Sequence, residues 1–592
     1  MERKDFEIKL VSSLDKVFPN GEPALLENEG SCLKNERFHF QVCIRSEYAL
    51  RLDCKVSAES AFGDKVFVRT VECIPGRYTR RPDGDDWVIF QENKAAAYPD
   101  LLMPIHENGI RLCPQQWQSL WVTVDGGSEA LPAGKYPIRI TVSDGYGLSL
   151  SAVYTLTVVD ALLPPSDLIY TNWFHYDCLC ERYDCEPFSE KFYTVLGSYL
   201  SEAVGHGMNM LYVPLFTPPL DTEVGRERKT VQLVRVYKNG ESFSFDFGEL
   251  KKFLSFAFKK GIRYFEMSHL ATQWGGKYCP KIVASEAGNE RKIFGWETSS
   301  CGREYEAFLR RFLPELDNFL KREGYAERVY FHISDEPSEE NDEGYVAAAK
   351  IIRPLLPGYR FMDAMSEPVY YRKGLVDVPV VATNAFSAFK PSPEWAYYCC
   401  CQFGHYESNR FFNMPSIRNR ILGAQLYETG TKGFLHWGFN FYNSQYSRYP
   451  VDPYFQSDAD GGFQSGDSFI VYPGRQGALA SLRLEVFFDG FRTFAPCGRR
   501  TKRSGGKNCS AVCIKSAYRA SRGGLTRRGG LNSAKKSTRF SPERLLSVAN
   551  QDFRNNSFLH LFRNCFGNLK LSEQSLFKNL FIRQMTETNS AN

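Results

Sequence analysis

Several features of exported and membrane-bound proteins are missing from this sequence. It has no run of 18 apolar residues that would span a bilayer, and residues 1–7 contain no apolar signal core. The 17 cysteines are an odd number without the spacing of a disulfide scaffold. These absences favour a cytoplasmic protein with reduced thiols and no membrane partner.

Recognisable metal-binding spacings are lacking as well. The series His175, Cys178, Cys180 and Cys185 follows no known zinc pattern, so unrelated loop cysteines explain it better than a structural zinc. The acidic stretch 458–462 lacks the full spacing and terminal glutamate of a calcium loop, which favours a turn. We therefore expect no metal and no cofactor.

Charge is divided unevenly along a chain that is otherwise typical of a globular protein. The 592 residues, 43% hydrophobic and 15% aromatic, leave room for two or more domains and a large core. The net charge of +5 conceals a contrast: residues 491–592 hold 20 Lys and Arg but 4 Asp and Glu, which leaves −11 for the first 490 residues. A mildly acidic part therefore precedes a strongly basic tail.

Short strand candidates separated by turn signals fill residues 1–163, where no long segment has helical periodicity. Apolar and polar residues alternate over 136–142, as in a strand with one buried face, and the stretch 144–147 is typical of a hairpin connection. We predict an antiparallel β-sandwich over 1–163. Its strands are expected at 38–44, 50–56, 65–73, 119–124, 137–143 and 152–159.

From residue 166 to 490 the pattern changes to alternating strands and helices, which is typical of parallel strands with crossover helices. A hairpin with Asn239 and Gly240 at its tip interrupts this alternation. Eight such units predict an α/β domain with a (β/α)8 TIM barrel. The strands are expected at 168–175, 208–216, 264–269, 329–336, 360–365, 378–384, 395–400 and 433–440, and helices at 189–204, 247–260, 303–323, 339–356 and 417–429.

The stretch 329–337 is the most informative, because an apolar run leads directly into Asp335, Glu336 and Pro337. The run is typical of a buried strand, and Pro337 should end it. Adjacent carboxylates there are costly unless they are paired or functional. A capped helix N-terminus is the alternative to catalysis, but strand ends of a barrel face its active site.

Polar and aromatic side chains follow most of the other predicted strands. Aromatic faces stack on sugars, while amides and acids bond sugar hydroxyls, so the set predicts a carbohydrate-binding cleft. Its candidate members are His175, Tyr176, Trp274, His332, Asn384, Tyr397, His436, Trp437, Asn440 and Tyr442. His332 and His436 are equally consistent with hydrogen-bonded core histidines, and Asp467 is a further candidate.

The motifs at 172–175, 330–337, 380–384 and 433–440 resemble the catalytic domain of glycoside hydrolase family 123 and its bacterial relatives, and the resemblance extends over residues 1–490. It implies substrate-assisted, retaining hydrolysis of a terminal β-linked N-acetylhexosamine, N-acetylgalactosamine in the characterised enzymes. By resemblance, Glu336 is the general acid/base. Asp335 holds the N–H of the 2-acetamido group while its carbonyl oxygen attacks the anomeric carbon, giving an oxazolinium intermediate.

Two expectations about Asp335 and Glu336 follow from this role. Successive strand residues point to opposite faces, so both carboxylates reach one sugar only if the backbone at 334–336 is distorted. An acid beside another carboxylate in an apolar cleft is disfavoured as a charge, so the pKa of Glu336 should be raised.

The basic tail, residues 491–592, is open to three interpretations. Its Arg- and Gly-rich clusters suggest a nucleic-acid-binding arm, but no aromatic interleaving of an RNA-binding kind accompanies them, so nucleic acid is an unlikely partner. The tail is also typical of a disordered segment. We favour an out-of-frame product of a frameshift near 489–493, because charge and periodicity change abruptly there. A frameshifted inactive member and a non-catalytic glycan-binding barrel remain alternatives to an active enzyme.

Overall fold

A computed structural model describes residues 5–79, 95–163, 165–338, 342–402 and 408–494, so the tail predictions fall outside the described residues from 495 onward. The described chain forms two compact units, divided at Val71, Met103 and Pro164. Residues 72–79 and 95–103 cluster with the second unit. There Asp100 accepts two hydrogen bonds from the buried guanidinium of Arg483, at 2.8 and 2.9 Å.

The first unit contains two β-sheets around one hydrophobic core. In one sheet β1, β3, β8 and β5 are neighbours in that order, and the other has the order β2-β10-β9-β4-β7. Their pairs are antiparallel, except that β2 runs parallel to β10. The strands to this point of the chain are β1 (Phe6–Ser12), β2 (Glu29–Leu33), β3 (Phe38–Ser46), β4 (Arg51–Glu59), β5 (Val66–Gly76), β6 (Ala96–Pro104), β7 (Ile110–Leu112), β8 (Trp117–Val124), β9 (Gly134–Ser143) and β10 (Ser149–Val159).

The alternation of inward-facing and outward-facing side chains along the strands explains the core of this unit. Phe40 and Val42 of β3 and Ile138 and Ile140 of β9 are fully buried in one cluster that both sheets share. All six predicted strands are present, and the hairpin at 144–147 joins β9 to β10. The strands β1, β2, β6 and β7 were missed; β2, with the sequence Glu-Gly-Ser-Cys-Leu, has no β-branched or aromatic residue to signal it.

The second unit is built on eight parallel strands in the order β11-β22-β21-β20-β19-β18-β15-β12. The first and last strands lie side by side. Tyr170 of β11 donates its N–H to the Asn209 side chain at 2.9 Å, and the Asn209 N–H donates to the Tyr170 carbonyl at 3.1 Å. The sheet is thus a nearly closed barrel. Its strands are β11 (Ile169–Asn172), β12 (Met210–Val213), β15 (Tyr264–Met267), β18 (Val329–Phe331), β19 (Arg360–Met365), β20 (Val378–Ala382), β21 (Trp395–Tyr397) and β22 (Gly433–His436).

All eight predicted barrel strands are present, and the helices confirm the α/β class. Buried Phe308, Phe312 and Leu316 recur at helical spacing along the longest helix, α4. A regular (β/α)8 pattern is incomplete in the described residues, because a 3₁₀ segment (Thr383–Ala388) joins β20 to β21. The helices are α1 (Tyr176–Tyr183), α2 (Glu190–Gly205), α3 (Gly248–Lys260), α4 (Arg303–Arg322), α5 (Asp342–Ile352), α6 (Val369–Arg372), α7 (Ser416–Arg420), α8 (Leu422–Thr429) and α9 (Leu482–Phe494).

Two small sheets are inserted between barrel elements. The predicted hairpin is present, with Gly240 at its tip in a left-handed conformation (φ +59°) that glycine adopts without strain. Its strands pair further with β16 and β17. The inserted strands are β13 (Arg235–Asn239), β14 (Ser242–Asp246), β16 (Ile282–Glu286), β17 (Asn289–Phe294), β23 (Val471–Gly474) and β24 (Gly477–Ala480). Among the helices described here, none has the length and apolarity to cross a bilayer.

Candidate active site

The chain leaves regular strand geometry just before the adjacent carboxylates. Strand β18 ends at Phe331, and Glu336 has a φ of +44°, which is uncommon for a residue with a side chain. Hydrogen bonds hold this conformation: the Asp335 carbonyl accepts from the Trp274 N–H at 2.8 Å, and the Ser334 hydroxyl donates to a backbone carbonyl at 2.7 Å. The distortion predicted for 334–336 is confirmed.

Asp335 and Glu336 are both partly exposed, and both have raised pKa values. Burial raises the pKa of Glu336, in the predicted direction, while a hydrogen bond donated by the Tyr397 hydroxyl to Oε1 at 2.9 Å opposes the rise. Burial also raises the pKa of Asp335 well above its ordinary value, and the charge of Glu336 adds to this. The nearby imidazole of His332, when charged, lowers it.

A fully buried charge network lies below this pair. His332 bonds Asp363 through Nδ1 and Glu266 through Nε2, both at 3.0 Å. Burial disfavours the imidazolium, but the two carboxylates outweigh burial and raise the pKa of His332 to about 9. At neutral pH His332 is therefore a cation between two acids. Of the two interpretations that its sequence allowed, the hydrogen-bonded core histidine is the observed one.

The two acids of this network have further donors. Glu266 accepts from the indole N–H of Trp173 at 3.0 Å and from the Thr171 hydroxyl, and Asp363 accepts from the Tyr345 hydroxyl at 2.6 Å. Glu266 and Tyr345 were missed in the sequence. Glu266 is a charged residue inside the otherwise apolar β15, which was the available signal.

Trp274 lies beside the carboxylate pair with an accessible ring. Its side chain is 41% exposed, and it makes an edge contact with Tyr446 at a centroid distance of 6.0 Å. Its φ of +59° is held by the N–H bond to Asp335. An exposed indole next to carboxylates suits stacking against the apolar face of a sugar.

A second polar group borders the pair and contains His436, Trp437 and Asp467. Trp437 donates its indole N–H to Asp467 Oδ2 at 3.1 Å. Burial lowers the pKa of His436 and raises the pKa of Asp467 to about 7. Because His436 Nδ1 accepts a backbone N–H at 3.0 Å, its proton is on Nε2, 3.5 Å from Asp467 Oδ1.

His175 and Asn440 are buried and support Trp437. The Asn440 amide bonds the backbone N–H and carbonyl of His175, each at 3.0 Å. Burial, followed by the charge of Arg228, lowers the pKa of His175 to about 3, so the ring is neutral. Arg228 donates to Nδ1 at 3.2 Å, and Nε2 then donates to the Trp437 carbonyl at 2.9 Å.

Three remaining candidates are not brought to the carboxylates by a direct contact. Tyr176 begins α1 and points into the interior, where its hydroxyl donates to the Tyr212 carbonyl at 2.5 Å. Tyr442 is also interior and donates to the Val471 carbonyl at 2.9 Å. Both are buried and therefore do not line the cleft. Asn384 is exposed and accepts from the Gln402 amide at 3.4 Å.

Two sets of potential metal ligands occur in the part of the chain that the structure describes. One is Cys399, Cys400 and Cys401, and the other is His269 with His332 and Asp363. Both nitrogens of His332 already bond carboxylates, so the second set is a hydrogen-bond network. In the described residues, His175 forms no such set with the cysteines that follow it.

Comparison with known proteins gives a matching family model and solved structures of similar fold. Residues 173–496 match the model for the glycoside hydrolase 123 catalytic domain. A family 123 glycoside hydrolase from Clostridium perfringens, described for glycolipid glycan hydrolysis, is 14% identical over 99% of this chain and 100% of its own, with a TM-score of 0.68. A Bacteroides ovatus GH5 xyloglucanase is 7% identical over 82% of this chain and 100% of its own, with a TM-score of 0.27. No curated protein matches the chain.

Proposed function

The chain belongs to the glycoside hydrolase 123 family, and from that membership we propose that it cleaves a terminal β-linked N-acetylhexosamine by substrate-assisted, retaining hydrolysis. N-acetylgalactosamine is the proposed sugar. The observation that carries the proposal is the distorted end of β18, where Asp335 and Glu336 are adjacent and both partly exposed. Because the Clostridium perfringens enzyme is described for glycolipid glycans, these are the first natural substrates to test.

Adjacency of the two carboxylates favours a nucleophile supplied by the substrate. An ordinary retaining glycosidase holds its acid and its nucleophile on opposite sides of the bond, about 5–5.5 Å apart. Two successive residues of one strand end are poorly suited to that arrangement. When the carbonyl oxygen of the 2-acetamido group attacks the anomeric carbon, the second carboxylate only has to orient that group. It can therefore lie on the same side of the sugar as the acid.

The mechanism also requires the two carboxylates to be in different protonation states. Glu336, the acid, must carry a proton, and Asp335, which orients the acetamido group, must be ionised. Burial raises the pKa of Asp335 as well as that of Glu336. A substrate N–H donated to Asp335 stabilises its charged form, as does the His332 imidazolium. Substrate binding therefore favours the state in which Asp335 is ionised and Glu336 keeps its proton.

The chemical steps then follow in order. Glu336 donates its proton to the glycosidic oxygen as that bond breaks, and the acetamido oxygen bonds to the anomeric carbon. The N–H proton of the resulting oxazolinium ion stays on nitrogen and is donated in a hydrogen bond to ionised Asp335, whose negative charge stabilises the cation. Glu336 next takes a proton from a water molecule, whose oxygen attacks the anomeric carbon and reopens the ring with net retention.

Aromatic and polar neighbours of the pair supply sugar binding in this account. Trp274 offers an exposed stacking face, and Tyr397 positions Glu336. Trp437, oriented by Asp467 and by the buried His175, is the second aromatic wall. Exposed Asn384 is proposed to contact the sugar from the 3₁₀ segment after β20. His436, fully buried at the end of β22, is proposed to support Asp467 instead.

Matched aryl β-glycosides with and without the 2-acetamido group test the proposal. We expect turnover of the acetamido sugar alone, lost in Glu336→Gln and kept in the control Glu343→Gln, whose side chain is exposed. Turnover of the plain glycoside would overturn substrate assistance. Binding of the sugar by a folded chain without turnover would instead indicate a glycan-binding barrel.

A frameshifted, inactive family member is the second candidate. It is favoured by the change in charge and periodicity near 489–493 and by the end of the family match at residue 496. Resequencing the gene across this region decides the matter. An intact reading frame would exclude the frameshift.

A further inference from the structure

Three consecutive cysteines follow β21 at the edge of the carboxylate pair. The Sγ atoms of Cys399, Cys400 and Cys401 all lie within 4.8 Å of one another, and those of Cys400 and Cys401 are 3.8 Å apart. A disulfide bond requires about 2.05 Å, so these two sulfurs are not bonded. We propose that the three thiols form a binding site for one thiophilic divalent cation of the Zn²⁺ class.

The sulfur spacing fits a tetrahedral ion. Zinc–thiolate bonds are about 2.3 Å long, so two sulfurs of a tetrahedral site are separated by about 3.8 Å. This is the separation between Cys400 and Cys401. Cys399 reaches the same ion with a small side-chain rotation, since its sulfur is already within 4.8 Å of both.

Buried amides fix the turn that carries the three thiols. The Gln402 N–H donates to the Cys399 carbonyl at 3.2 Å, and the Gln402 side chain accepts from the Cys399 N–H at 2.6 Å. The Asn409 amide donates to the carbonyls of Cys399 and Gln402, at 2.8 and 2.5 Å. Gln402 and Asn409 are themselves buried. Because these hydrogen bonds already hold the backbone, little conformational entropy is lost when the three thiols bind an ion.

Access and ligand type both suit a thiophilic ion. Cys401 is exposed and the other two thiols are partly exposed, so an ion can reach the site and keep a solvent molecule as fourth ligand. Thiolates select zinc-like and softer ions over Mg²⁺ and Ca²⁺, which prefer oxygen ligands. The site begins two residues after Tyr397, whose hydroxyl bonds Glu336.

The test is a titration of the reduced, metal-free full chain with Cd²⁺, whose thiolate complexes absorb in the ultraviolet. We compare the unchanged chain with the triple variant C399S/C400S/C401S, so that signals from all other cysteines cancel in the difference. We expect the triple variant to lose one bound equivalent and its thiolate absorption. The control C180S/C185S, which removes another neighbouring pair of cysteines, should keep that equivalent.

Two results would overturn the proposal. One is equal Cd²⁺ binding by the unchanged chain and the triple variant. The other is a thiol count, taken without reductant, that shows two of the three cysteines joined as a disulfide. If the triple variant does not fold, the single exposed-site variant Cys401→Ser replaces it. Loss of one of three thiolates should then weaken Cd²⁺ binding about tenfold or more, since residues that only support metal ligands already contribute that much. Unchanged affinity would contradict the site.

Discussion

The hydroxyl of Tyr397 donates a hydrogen bond to Oε1 of Glu336 at 2.9 Å, and this contact couples the end of β21 to the proposed acid in the segment that follows β18. It stabilises the ionised carboxylate and so opposes the burial that raises the pKa of Glu336. Tyr397 thereby keeps the acid from becoming too weak to donate its proton.

Tyr397→Phe should shift the pH dependence of hydrolysis. Glu336 acts while protonated, so activity falls as pH rises through its pKa. Without the hydrogen bond, that pKa and the basic limb of the profile should move up by about one pH unit. Profiles of kcat against pH measure the shift, with Tyr237→Phe on the inserted hairpin as control. A basic limb that stays in place or moves down would contradict the role of Tyr397.

His332→Gln should change how stability depends on pH. The pKa of His332 is raised to about 9 in the fold from 6.5, so its stabilising contribution is complete below pH 6.5 and is lost as pH rises through 9. The variant leaves two buried acids without their cation, and we expect a loss of roughly 3–5 kcal/mol near pH 6.

Urea unfolding at several pH values between 6 and 9.5 measures this contribution. The difference between unchanged chain and variant should shrink as pH rises. His175, His269 and His436 have lowered pKa values and therefore act at lower pH. A difference that is constant over the range would show that His332 is not a cation in the folded protein.

Trp274→Ala should weaken substrate binding without unfolding the chain, because the side chain is 41% exposed and contributes little to the core. Loss of one aromatic stacking contact, worth about 0.5–1.5 kcal/mol, predicts a KM increase of roughly threefold to tenfold with kcat nearly unchanged. Trp296→Ala, on a loop after β17, serves as the matched control. A fall in kcat with unchanged KM would show that Trp274 contributes to the chemical step and not to substrate binding.

Arg228→Met should destabilise the fold because it leaves Asp177 buried and unpaired. The pair is bidentate, with distances of 2.7 and 2.6 Å. Burial opposes ionisation of Asp177, but Arg228 outweighs it and lowers the pKa below 3.8. The pair's stabilisation is therefore present above pH 3.8 and lost as pH falls.

We expect Arg228→Met to cost roughly 3–5 kcal/mol at pH 7. Urea unfolding should show a cost that shrinks as pH falls below 3.8, where the pair's stabilisation is lost. The double variant Asp177→Asn, Arg228→Met should recover part of the loss at pH 7. No recovery would mean that Arg228 acts mainly through its hydrogen bond to His175.

The barrel was predictable because its signal is local. Most strands are short runs of apolar residues, and the stretch that begins at 329 leads to carboxylates at 335 and 336, which buried structure does not tolerate without a reason. The backbone distortion at Glu336 was also predictable, because a regular strand would point the side chains of Asp335 and Glu336 to opposite faces. Helix α6 and the 3₁₀ segment after β20 were not predicted, because neither is long enough to show a period.

The direction of a side chain beyond a strand end was less predictable. Trp274 and Tyr176 both follow a strand in the sequence, yet Trp274 is exposed beside Asp335 and Tyr176 packs between helices. Their difference depends on the loop backbone, which is set by contacts with distant residues. Glu266 was missed because strand ends alone were searched, although a charge within a buried strand implies a partner such as His332.

The nucleophilic role of the acetamido group is the central claim, and a series of aryl β-N-acetylgalactosaminides with zero to three fluorine atoms on the acetyl group tests it most directly. Fluorine withdraws electrons and weakens the carbonyl oxygen as a nucleophile. We predict that kcat/KM falls steeply with each fluorine, and that Asp335→Asn, which orients the acetamido group poorly, retains little activity on any member. A rate that does not depend on fluorination would contradict substrate assistance and require a nucleophilic carboxylate of the protein.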